Sequence, residues 1–121
     1  MGGPLPQEGA KEAFVTGAKG VVDLLHSISD FNEVIETPFG PMPIVNFVMF
    51  PTMDIVVHKW DLSKGTGQSL DIDAALAEIG VQVLDMGGEV GRQFGIFAPE
   101  VSVPSTATIQ EKLLAMSGRQ P

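Results

Sequence analysis

Apolar residues recur along most of this chain at the three- and four-residue steps of an amphipathic helix. Between about Ala10 and Ser29 they fall at Phe14, Ala18, Val21, Leu25 and Ile28, one stripe that predicts a first helix. From Glu33 to Pro43 three prolines and a glycine interrupt the pattern, and Val34-Ile35-Glu36-Thr37 reads as a short extended arm before a turn at Pro38-Phe39-Gly40-Pro41. A second helix is predicted from Met42 or Pro43 to Lys64. It is apolar almost all round, so it should be central with partners on several sides. Pro51 lies inside it and predicts a kink or a break, because proline removes a backbone donor and crowds the preceding turn.

Gly65-Thr66-Gly67 stops the second helix. Asp71 or Asp73 can cap a third, with a stripe at Leu76, Ile79, Val83, Val90 and Phe94. Gly80, Gly87, Gly88 and Gly91 weaken it by roughly 1 kcal/mol each relative to alanine, so it either bends near Gly87-Gly88 or meets another helix closely there. Thr108-Ile109-Gln110-Glu111 has capping-box spacing for a short last helix with Ile109, Leu113 and Met116 inside. The expected fold class is therefore all-α: three substantial helices and a short C-terminal one. Residues 1–9, rich in glycine and proline, read as a flexible lead-in, and residues 10–121 as a single helical domain. Three helices with such apolar faces make a thin bundle, which predicts completion by dimerisation into a homodimer.

Composition narrows the function. The 44% hydrophobic and 18% charged fractions of the 121 residues suit a globular chain. A net charge of −8 with no run of Lys or Arg argues against nucleic acid and against an anionic membrane surface. The longest apolar run, broken at Asn46 and ended by Pro51, falls far short of the roughly 20 residues a membrane-spanning helix needs. The first residues lack the pattern of a signal peptide. Without cysteine there is no disulfide, thiolate ligand or Cys nucleophile, which fits a cytoplasmic protein.

Candidate chemistry gathers in the second helix. Asp54, His58 and Asp61 are spaced i, i+4 and i+7, which lines two carboxylates and an imidazole along one face. Asp54 and His58 offer oxygen and nitrogen donors suited to Zn or another divalent metal. The same spacing is also that of an ordinary helix pair, with Asp61 orienting the imidazole or facing water. Metal-free acid/base chemistry by His58 with Asp61 behind it is a further reading. His26, near the end of the first helix, is either a ligand or a polar residue at the bundle margin. Trp60 reads as a packing anchor whose indole nitrogen finds a partner. Gly65-Thr66-Gly67 lacks the context of a phosphate loop, and Ser27, Ser29 and Ser63 lack that of a serine nucleophile.

The block Val56-Val57-His58-Lys59-Trp60-Asp61-Leu62-Ser63-Lys64-Gly65-Thr66-Gly67 resembles the "HxWDLAxATG" block of actinobacterial proteins related to mycothiol-dependent maleylpyruvate isomerase, within the DinB-like superfamily of metal-binding four-helix bundles. Phe97-Ala98-Pro99-Glu100-Val101-Ser102-Val103-Pro104 and the run from Glu111 to Pro121 are similar to the ending of one branch of that family, and Thr37-Pro38-Phe39-Gly40 fits its extended segment. The resemblance covers the chain from about residue 10 onward and implies a truncated DinB-like bundle. It also implies a metal held by an early histidine and by an acid and a histidine at i, i+4. Asp54 matches that acid and His58 that second histidine, with Asp61 and Trp60 behind them. The helices that carry the early histidine have no counterpart, which leaves the third position to His26, to the same residue of a second chain, or to water. The resemblance further implies an external thiol such as mycothiol and a reaction of isomerase or transferase type. Two alternatives stand beside it: a non-catalytic dimeric module for a small ligand or an interaction partner, keeping a vestigial site, or a fragment completed in trans.

Overall fold

The computed structural model describes residue 7 and residues 9–121. Apart from Gln7 and Gly9, the lead-in expected over residues 1–9 lies outside the described residues. Among the described residues the chain is mainly helical, with α1 at Ala10–Ser27, a two-stranded antiparallel pair of β1 (Val34–Ile35) and β2 (Met42–Pro43), α2 at Ile44–Gly65, α3 at Ala74–Gln93 and α4 at Ile109–Met116. The chain divides into two compact units, one ending at Glu33 and the other running Val34–Pro121.

In the first unit, α1 follows the predicted stripe, yet none of its residues is buried; Leu25 and Ile28 are half-buried and Phe14 is exposed. Lys19 and Asp23 pair one turn apart on its surface.

In the second unit, the extended arm becomes a hairpin in which Val34 faces Pro43 and Ile35 faces Met42. Its turn is closed by reciprocal backbone hydrogen bonds between Thr37 and Gly40. Gly40 takes φ +96°, a backbone conformation that suits a residue with no Cβ. The chain then enters α2, which runs unbroken through Pro51. Loss of one backbone donor in 22 residues is outweighed by the burial of Met53, Val56, Val57 and Trp60 just beyond it. Burial is nonetheless one-sided: Ile55 and Leu62, seven residues apart on the opposite flank, stay 63% and 67% exposed. The all-round burial expected of this helix is not found within the Val34–Pro121 unit.

α3 packs against both α2 and α4. Asp73 caps it by accepting from the backbone N–H groups of Ala75 and Leu76. Its buried seam is Ala77, Gly80, Val83, Leu84, Gly88 and Gly91, which corrects the predicted stripe: Leu76, Val90 and Phe94 are exposed. Close approach occurs at Gly80 and Gly91 rather than at Gly87-Gly88. A Cβ on Gly80 would lie 2.6 Å from a Leu113 methyl, and one on Gly91 would lie 2.5 Å from the Phe97 ring, whereas one on Gly87 would meet nothing within 4 Å. The core joins Met53, Val56 and Val57 of α2, Ala77, Val83 and Leu84 of α3, and Leu113 of α4.

The capping box of α4 is present as read. The Thr108 hydroxyl accepts from the Glu111 N–H at 3.2 Å, while the Glu111 carboxylate accepts from the Thr108 N–H at 2.6 Å. These bonds to Thr108 hold the Glu111 carboxyl below its ordinary value. Because the unfolded chain binds this proton more readily, the group's contribution to stability is present above its ordinary value and is lost as pH falls through the lowered one. Stability should therefore drop below about pH 4 with a slope that Glu111→Gln reduces. Acid titration of helical circular dichroism checks this, and an unchanged slope in the variant would contradict it.

Candidate functional site

The i, i+4, i+7 spacing places Asp54, His58 and Asp61 along one flank of α2, beside the buried face that carries Val57 and Trp60. His58 stands between the two carboxylates. Its Nδ1 lies 3.0 Å from Asp61 Oδ2, and its Nε2 lies 3.4 Å from Asp54 Oδ1. With Nδ1 donating to Asp61, the Nε2 lone pair faces Asp54.

Asp61 is itself held from a distant part of the chain. Arg119 donates from Nη2 to Oδ2 at 2.8 Å and from Nε to Oδ1 at 3.2 Å, a two-bonded fork. Its Nη1 also donates to the carbonyl of Ser117 at 2.8 Å. The turn after α4 places this arginine. Arg119 N–H reaches the carbonyl of Leu114 and Gly118 N–H that of Ala115, the paired bonds of a Schellman ending. Gly118 takes φ +81° and packs directly on Ala98, where a Cβ would fall 2.9 Å from the backbone carbonyl oxygen. The Arg119 guanidinium holds the Asp61 carboxyl below its usual range; partial burial opposes this and the bond from His58 reinforces it. The side chains of Asp54 and His58 are 67% and 61% exposed, so their contact alone adds little to stability.

Of the residues singled out in the sequence, Asp54, His58 and Asp61 are brought together. Trp60 is not among them: it is buried on the neighbouring face of α2, where the Lys64 ammonium lies 5.0 Å from its ring centroid. His26 lies exposed near the end of α1, in the first unit. Among the described residues no group of three or more His, Asp or Glu side chains is gathered as a metal cage. Arg119 was missed by the sequence reading. The signal pointing toward it is Gly118, a helix-ending glycine that fixes where the next residue emerges.

No protein-family model matches this chain, and neither does any solved structure. The chain is similar to the uncharacterized proteins MT0763 and Rv0738 of Mycobacterium tuberculosis, from strain CDC 1551 / Oshkosh and strain ATCC 25618 / H37Rv respectively. Each is 28% identical over 120 residues, covering 96% of this chain and 65% of the relative. The chain thus spans somewhat less than two thirds of the length of these curated relatives.

Proposed function

We propose that this chain is a DinB-like protein that binds a divalent metal, zinc or a similar ion, through Asp54 and His58. The observation that carries the reading is the 3.4 Å separation of His58 Nε2 and Asp54 Oδ1. Two donors bonded at about 2.1 Å to one tetrahedral ion stand roughly 3.4 Å apart. The donor separation therefore matches that of a shared ion, with rotation of the two exposed side chains aiming both donors at it. A carboxylate on Nδ1 is the usual outer partner of a metal-bound histidine, and here Asp61, fixed by Arg119, fills that place. The third position stays open to His26, to the same residue of a second copy, or to water. An ion with an open position supplies Lewis acidity or an activated water.

On the resemblance stated above, the activity is that of a thiol-dependent isomerase or transferase. The chain has no cysteine, so the thiol is external, mycothiol being the candidate. We read the protein as a cytoplasmic homodimer, in which Ile55 and Leu62 of α2 supply exposed apolar surface for self-association. Among the described residues no helix is long and apolar enough to cross a membrane.

A second reading, a non-catalytic dimeric binding module with a vestigial site, is favoured by one observation: only two donors converge here among the described residues. Elemental analysis of protein dialysed against zinc and then buffer separates the two. The metalloprotein reading expects about one equivalent per chain, falling several-fold in Asp54→Ala. Retention below a tenth of an equivalent contradicts it and leaves the second reading.

A further inference from the structure

A groove of about 720 Å³ opens between α2 and α3, within the range that small ligands fill. Its lining is apolar and notably aromatic: Phe39 from the hairpin turn, Phe50 from α2, and Phe94 and Phe97 from the segment after α3. Phe39 and Phe50 stack with ring centroids 5.2 Å apart. Gly87 lines the groove, and a Cβ there would enter open space, so this helix leaves room for a guest.

Charge decides what kind of guest. Asp54 is the one charged residue in the lining; no Lys, Arg or His contributes to it. Beside these apolar walls the Asp54 carboxylate, with the His58 imidazole 3.4 Å away on its outer side, repels anions and favours a cation, and the negative faces of aromatic rings add to the same preference. We propose that this groove binds a small hydrophobic organic cation, an arylalkylammonium whose hydrocarbon body lies against the phenylalanines and whose ammonium pairs with Asp54.

The inference does not depend on the metal reading. Both use Asp54, so ion and organic cation would compete, and the test is run on chelator-treated protein to keep their failures separate. The probes are phenylbutyltrimethylammonium and phenylbutanoate, alike in body and opposite in charge, titrated by calorimetry. The ammonium should bind saturably and at least about tenfold more tightly than the carboxylate, and Asp54→Asn should remove about tenfold of its affinity. Gly87→Leu, whose Cβ meets open space and whose side chain adds bulk at the groove wall, should abolish binding while helical circular dichroism is retained. Equal affinity for the two probes, failure of the ammonium to bind, or indifference to either substitution would overturn the proposal.

Discussion

Gly80→Val should destabilise the Val34–Pro121 unit by about 3 kcal/mol, at the upper end of the usual overpacking cost. Even a bare Cβ at this position would stand 2.6 Å from one Leu113 methyl, 3.2 Å from the other and 3.3 Å from Met53. Leu113 cannot swing aside, because it is fully buried where α4 meets α3. The added volume therefore has to separate α3 from α4 or force Leu113 off its rotamer. The informative partner is Gly87→Ala on the same helix. Its Cβ meets open space, so the helix propensity of alanine should raise stability by up to about 1 kcal/mol. Thermal or urea denaturation of the two variants checks the packing. Equal effects from both would mean that the seam does not run through Gly80.

The second large effect concerns the ion. His58→Ala removes one of the two donors that α2 supplies, and zinc affinity should fall by more than about 100-fold, since loss of an outer-shell partner alone commonly costs 10–100-fold. Asp61→Asn leaves both donors in place but weakens the hydrogen bond that orients the imidazole, so a decrease of about tenfold is expected. Neither substitution reaches the core. The His58 side chain is 61% exposed, and its removal should shift folding stability by less than about 0.5 kcal/mol. Competition titration with a zinc-sensitive dye, alongside denaturation, separates the two quantities. Unchanged zinc affinity in His58→Ala would remove the histidine from the site.

The ends of the helices were legible because capping is local chemistry. Asp73 and the Thr108 to Glu111 box lie within four residues of the bonds they make. The hairpin arm at Val34-Ile35 was legible for the same reason. The packing face of α3 was not. A reading that weighs apolar side chains selects Leu76, Val90 and Phe94, whereas the buried seam uses Ala77, Gly80, Gly88 and Gly91, where a small residue lets a neighbour come close. Of the kink or break that Pro51 predicts from its own backbone, the break does not occur, and the burial that carries α2 through it depends on helices much further along the chain.

At the site, the spacing of Asp54, His58 and Asp61 is a property of one helix and was readable. The placement of Arg119 on Asp61 joins residues 58 positions apart and depends on the Gly118 turn and the docking of α4. The aromatic groove was equally hidden, since its walls come from the hairpin turn, α2, α3 and the segment after α3.

Nitrogen-labelled histidine offers the most direct view of the central claim, through long-range proton–nitrogen correlation spectra recorded before and after zinc is added. The account predicts that His58 carries its proton on Nδ1, toward Asp61, and that zinc shifts Nε2, the atom facing Asp54, with the proton still on Nδ1. A His58 ring whose nitrogens stay unmoved at saturating zinc, or one that takes the ion on Nδ1, would contradict it.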